Sequence, residues 1–167
     1  VALAEFMEEV ALAATIGASA QHRELTVTKV AGGVAIDIDR QLLAAALGNL
    51  LQNAFKFSRP LGRVVLRTDT TTASGRVLIE VEDECGGLPP GLVNELFQPF
   101  RQRGFNRSGL GLGLVIAREG VEANGGALRV RDLPGKGCVF TVDLPAAVDS
   151  AHLAPVEPSQ VPLSRGQ

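Results

Sequence analysis

The hydrophobic positions change period several times along the chain. In VALAEFMEEVALAATIGASA, residues 1–20, Phe6, Val10 and Ala13 or Ala14 recur at helical spacing, which predicts an alanine-rich amphipathic helix. The pattern then becomes alternating: ELTVTKV and GVAIDI read as two strands joined at Gly32-Gly33, a hairpin signal. Asp39 is a helix-capping residue and predicts a long helix from Arg40 to about Phe57. RVVLRTDT and RVLIEVE read as two further strands around the turn Ala73-Ser74-Gly75. Pro89-Pro90 opens a short helix that runs through Phe97, since proline is tolerated in a first helical turn. The polar stretch RQRGFNR then leads into SGLGLGL and a helix that stops at Asn124-Gly125-Gly126. ALRVRDL and CVFTVDL form a last strand pair around Pro134 to Gly137. After Pro145 periodicity is lost and three further prolines appear, the pattern of a disordered tail or linker.

Strands joined mostly by short turns, without strict βαβ alternation, predict an α/β (α+β) two-layer sandwich. Its sheet is mixed and largely antiparallel, with helices packed on one face. The chain has 167 residues, 46% of them hydrophobic, enough for one core. The expected division is a helical segment at 1–24, one domain at 25–146 and a tail at 147–167. A net charge of -2 gives no electrostatic case for nucleic acid or a membrane surface. Two cysteines, Cys85 and Cys138, make no disulfide framework, so a reducing cytoplasm is the expected compartment. The chain starts at Val1 rather than Met and is read as a piece of a larger protein, whose remainder has room for a membrane anchor.

Three stretches carry candidate chemistry. Gly109, Gly111 and Gly113 fit neither standard phosphate motif: a dinucleotide fingerprint starting at Gly109 needs glycine where Leu114 stands, and no lysine follows as in a P-loop. They do precede a helix start, where unpaired N–H groups attract anions. In LLAAALGNLLQNAFKFS, Leu43, Leu47, Leu50, Leu51 and Ala54 share one arc of the helix, while Asn49, Asn53 and Lys56 fall on the other side. Two neutral amides with a lysine beyond them suit a hard cation and phosphate oxygens, although an ordinary amphipathic helix shows the same periodicity. Finally, RVLIEVEDECGGLPPG is a strand that ends at Asp83 and turns through Gly86-Gly87. A carboxylate there either accepts from an amino group such as that of adenine or caps its own turn.

Taken together and in this order, NLLQNAFKFS, DECGGLP, LFQPF, SGLGLGL and PGKGCVFTVDLP resemble the motifs of one family. It is the catalytic ATP-binding domain of bacterial two-component sensor histidine kinases, in the GHKL superfamily with the Bergerat fold. The resemblance spans about residues 25–146. It implies Mg-ATP held between the asparagine helix and a lid at about 101–108. By position it makes Asn53 the Mg²⁺ ligand, Asn49 its companion one turn earlier, Lys56 a phosphate contact and Phe57 an aromatic wall. Asp83 would take the adenine amino group, with Gly87 and Leu88 beside the ring. Ser108, Gly109, Leu110, Gly111, Leu112 and Gly113 would bring backbone and a helix N-terminus onto the phosphates, and Arg101, Arg103 and Arg107 are candidate phosphate contacts. Two departures stand out: Cys85 replaces a usual glycine, and Cys138 stands where threonine is common.

The resemblance also implies the reaction. In the hydrolysing branches of the superfamily, a glutamate one turn before the magnesium asparagine activates water. Asn49 occupies that position here and cannot accept a proton at neutral pH. LFQPF favours the kinase branch. The expected activity is therefore protein histidine kinase: γ-phosphoryl transfer to a histidine of a dimerisation and phosphoacceptor domain outside this chain, then to the receiver domain of a response regulator. The parent would be a homodimer and the isolated domain a monomer. The alternative is a nucleotide-binding or docking module without kinase activity. His22 lacks the acceptor context and is read as a surface residue, residues 1–20 as a linking helix or, equally, a helix packed on the domain, and His152 as part of the tail.

Overall fold

A computed structural model describes residues 1–70, 74–98 and 112–147. The elements are α1 (Leu3–Ala20), β1 (Glu24–Val27), α2 (Arg40–Phe57), β2 (Arg63–Asp69), β3 (Arg76–Asp83), α3 (Gly113–Ala123), β4 (Ala127–Leu133) and β5 (Gly137–Pro145). They form one five-stranded sheet in the order β1-β2-β3-β5-β4, parallel between β1 and β2 and antiparallel elsewhere. The helices cover one face of it, so the architecture is the predicted two-layer α/β sandwich.

Strand periodicity explains the layers. Along β3, Val77, Ile79, Val81 and Asp83 are buried and alternate with half-buried residues. The β3–β5 register sets Val81 opposite Phe140 and Asp83 opposite Cys138, so the apolar row continues onto β5. On the helical side, Leu43, Leu47, Leu50 and Leu51 of α2 are buried with Phe6, Met7 and Val10 of α1. The other face carries charge pairs: Arg67 with Glu82, Lys136 with Glu82 at 2.8 Å, and Arg76 and Arg129 with Asp143.

Two local expectations need correction. GVAIDI forms no second hairpin strand; its only bridge pairs Ala35 with Ala2, and β1 instead pairs in parallel with β2. The alternation was nonetheless physical: Ile36 is fully buried and Val34 and Ile38 pack on the core. The segment satisfies its backbone at the entry to α1, where Leu3 N–H donates to the Val34 carbonyl at 3.0 Å. The helix expected from Pro89-Pro90 to Phe97 shrinks to one 3-10 turn, Leu92–Asn94. Gly91, at φ +79°, turns the backbone out of the helical region the prolines favour.

α2 and α3 run antiparallel and close together. At Gly120 of α3 an added Cβ would lie 3.1 Å from the Leu42 carbonyl oxygen and 3.2 Å from the Ala46 Cβ, so glycine sets the approach. Asn124 fastens one end of the pair. Its Oδ1 accepts from Asp39 N–H at 2.6 Å and its Nδ2 donates to the Gly120 carbonyl at 2.7 Å. Asp39 in turn caps α2, its Oδ1 accepting from the Gln41 and Leu42 N–H groups at 3.0 Å. Asn124 is buried, so Asn124→Ala strands the Asp39 N–H and the Gly120 carbonyl without partners. It should cost about 2 kcal/mol, seen as a lower urea midpoint with an unchanged slope.

Candidate functional site

The other end of the α2–α3 pair holds the asparagines. Gly113 opens α3 directly beside them: a Cβ placed there would sit 3.7 Å from both Asn49 Oδ1 and Asn53 Nδ2. Both amides are half-buried. Among the described residues this helix start, where Leu112 precedes Gly113, has no side-chain cap, and the start of a helix carries the positive end of its dipole. Two neutral amides and a helix start thus converge, an arrangement suited to an anion accompanied by a hard cation.

Asp83 reaches the same layer because its strand alternates. Following Val77, Ile79 and Val81 on the helix-facing side, its carboxylate ends an apolar row and is 3% exposed. Oδ1 accepts from the Cys85 N–H at 3.0 Å and the Cys138 N–H at 3.3 Å. Oδ2 lies 3.3 Å from the Cys138 sulfur, a weak donor. A carboxylate accepts about four hydrogen bonds, so Oδ2 keeps capacity for one stronger donor.

The end of α2 is stitched to the residue after Asp83. Glu84 N–H donates to Ser58 Oγ at 3.3 Å, and Arg59 N–H donates to the Glu84 carbonyl at 3.1 Å. Arg23 closes the helix from behind, with Nε on the Phe55 carbonyl at 3.0 Å and Nη2 on the Ser58 carbonyl at 3.1 Å. Lys56 stands over the ring of Phe57, 5.3 Å from its centroid, and that ring is 39% exposed. Gly87 has φ +100°, and the space its Cβ would take is bounded by Gly135 N at 3.1 Å and Asp132 Oδ1 at 3.4 Å. The loop after Asp83 therefore leans on the β4–β5 turn; Leu88 N–H also donates to Asp132 Oδ1, at 2.7 Å.

Asn49, Asn53 and Gly113 are thus brought together, and Asp83, Gly87 and Leu88 form a second group joined to them through the end of α2. Ser108, Gly109, Leu110 and Gly111 lie outside the described residues, as do Arg101, Arg103, Arg107 and the end of LFQPF. Phe97 of that motif meets Phe140 edge-on at 6.5 Å, with the Arg118 guanidinium 5.8 Å from the Phe97 ring centre. His22 is exposed, in the turn between α1 and β1.

Sequence reasoning missed several supports. Ser58, Arg59 and Asp132 act through backbone partners, which no residue pattern reveals. Gly137 is the clearest: an added Cβ would overlap the carbonyl oxygen of Asp83. Its signal lies in PGKGC, which reads as a turn and as part of the last family motif without pointing to a contact with Asp83. The two thiols also differ in acidity. Cys85 is lowered from the ordinary thiol range, chiefly by a hydrogen bond from Cys138 that outweighs burial and the Asp83 charge. Cys138 is raised, first by that same pairing, then by burial and Asp83.

Residues 38–148 match the family model described as histidine kinase-, DNA gyrase B- and HSP90-like ATPase. The chain is 40% identical over 113 residues to the sensor protein KdpD of Mycobacterium tuberculosis, a match covering 66% of this chain and 13% of KdpD. It is 34% identical over 114 residues to the sensor histidine kinase WalK of Bacillus subtilis, covering 66% of this chain and 19% of WalK. The chain therefore spans a small part of the curated relatives it matches. Among solved structures, the mycobacterial sensor histidine kinase MprB aligns with a TM-score of 0.75 at 30% identity, covering 87% of this chain and 97% of that one. Full-length ShkA in complex with AMPPNP aligns at 0.70 and 28% identity, covering 88% of this chain and 30% of ShkA.

The contact between Gly137 and Asp83 yields a stability prediction. Gly137→Ala must push β5 away from the end of β3 and should lower the melting temperature by roughly 10 °C, equivalent to about 3 kcal/mol. Gly32→Ala, where nothing lies within 4 Å of the new Cβ, should stay within about 0.5 kcal/mol of the parent. Thermal denaturation followed by circular dichroism distinguishes the two.

Proposed function

The chain belongs to the histidine kinase-, DNA gyrase B- and HSP90-like ATPase family, and from that membership we propose that it binds Mg-ATP as the phosphoryl-donating domain of a sensor histidine kinase. The observation that carries the reading is the placing of two amide side chains against the uncapped start of α3. Neutral amide oxygens fit Mg²⁺ that arrives already neutralised by phosphates, since that ion takes one or two protein oxygens and fills its shell with phosphate and water. Asn53 would hold it, and bound there it would neutralise charge on the transferred group.

The chain's own groups supply the rest. The α3 N–H groups would donate to phosphate oxygens, and Lys56 beside Phe57 would mark the edge where base and phosphates separate. Asp83 Oδ2 would accept from the adenine amino group. Asn49 has no proton-accepting side chain at neutral pH, so a water beside the γ-phosphate stays unactivated and the phosphoryl group persists for another nucleophile. That nucleophile would be a histidine nitrogen on a dimerisation domain of the parent protein, with a response-regulator receiver domain next in the relay. Residues 1–24 would then connect to that domain.

Calorimetry with Mg-ATP tests the pocket. Asp83→Asn places an amide where an acceptor is needed, and affinity should fall about 10- to 100-fold. Asn53→Ala should weaken Mg-ATP by about tenfold and metal-free ATP much less. Unchanged affinity in Asp83→Asn rejects the adenine assignment. Phosphoryl transfer is read by mixing the chain and labelled ATP with the parent's histidine-bearing segment. Label on that histidine supports the kinase reading, whereas firm ATP binding without label makes the chain a nucleotide-dependent docking module.

A further inference from the structure

The only two cysteines of the chain both lie against Asp83. Cys138 is its cross-strand partner on β5, and Cys85 follows it by two residues in the loop. Their backbone N–H groups donate to the same oxygen, Asp83 Oδ1, which holds the two backbones within two hydrogen-bond lengths of each other. Both sulfurs and a carboxylate oxygen lie within 4.8 Å of one another. We propose that Cys85 and Cys138 form an oxidation site, closed by a hydroperoxide into an intramolecular disulfide that removes Asp83 from nucleotide binding. The second half of this inference rests on the adenine assignment above; the first does not.

The geometry asks for little movement. A disulfide needs its sulfurs about 2.05 Å apart and its Cα atoms roughly 4.4–6.8 Å apart. Cys138 is fixed within β5 and 2% exposed, whereas Cys85 sits in a bend and is half-buried. Rotation of the loop cysteine toward the strand cysteine closes the gap.

The two thiols also divide the chemistry between them. Cys85, in the loop and the more accessible of the two, is the sulfur that meets the oxidant, acting as thiolate once its proton is lost. It attacks the outer oxygen of the hydroperoxide, the O–O bond breaks, and the departing oxygen takes a proton to leave as alcohol or water. Cys85 is then a sulfenic acid. Cys138, buried beside Asp83 Oδ2, needs no contact with solvent: it gives up its proton as its sulfur attacks the Cys85 sulfur, and that proton leaves with the hydroxyl as water. Two thiols lose two electrons and the hydroperoxide gains them.

The product alters the surroundings of Asp83 in two ways. The Cys138 S–H beside Oδ2 is consumed, and two bonded sulfurs then crowd that oxygen. The loop 84–88 becomes tied to β5, so it cannot part to admit a flat ring.

The test treats the full chain with hydrogen peroxide, alkylates residual thiols and measures intact mass, peptide map and Mg-ATP affinity, with dithiothreitol reversal. The expected result is a chain lighter by two hydrogens with no alkylation and a peptide linking residues 85 and 138. Its Mg-ATP affinity should be lower by about tenfold or more and restored by reductant. Cys85→Ser should bind Mg-ATP equally in oxidant and reductant, which separates the crosslink from general oxidative damage. Two alkylated thiols, or Cys85 carried to sulfinic acid without a crosslink, overturn the site. A complete crosslink with unchanged affinity overturns the coupling. Failure of the reduced chain to bind Mg-ATP overturns the nucleotide reading and the coupling with it, while the mass result still decides the crosslink.

Discussion

The close antiparallel contact of α2 and α3 is the constraint on which the candidate site depends. At Gly120 the helices approach until backbone meets the Ala46 side chain, a distance that a larger residue would open. That closeness lets Gly113, two turns earlier on α3, present a helix start to Asn49 and Asn53. Asn124 does at the far end what packing does in the middle, since its amide serves both helices at once. Geometry at the amides is thus set by groups well away from them.

A second constraint fixes the carboxylate. Asp83 has to stay on the helix-facing side of the sheet, where burying an unpaired charge costs several kcal/mol. Hydrogen bonds from the Cys85 and Cys138 N–H groups lower that cost, and Gly137 lets β5 come near enough to supply one of them. Ser58 and Arg59 then bind the end of α2 to Glu84, so the two groups of candidate residues share one rigid connection. Thiol chemistry at this point acts on the residue that the whole arrangement positions.

Much of this was legible in the sequence because the signals were local. The α2 helix begins where Asp39 caps it and ends at Phe57, as capping and periodicity require. β3 ends at Asp83, and α3 stops at Asn124, whose following glycine adopts the expected left-handed turn. GVAIDI was misread because alternation reports burial on one side, not pairing on the edges; Ile36 is buried without belonging to a strand. For α1 the sequence left a linking and a packing helix equally open, since Leu3, Phe6 and Met7 show an apolar face without showing what covers it; the structure packs them into the core. Likewise, the meeting of Gly113 with the asparagines was supplied by family resemblance, because two helices more than fifty residues apart share no local pattern.

The strand order has a consequence for how the chain matures. β5, last in sequence among the described strands, inserts between β3 and β4 and pairs with both. During synthesis, a nascent chain stopped before residue 137 has its α-helical layer available but leaves the Asp83 strand with a bare edge along its whole length. Such an edge is a template for mispairing with other chains. The carboxylate therefore acquires its surroundings only when β5 leaves the ribosome, which makes the Asp83 end of the sheet the last part of the described fold to be completed.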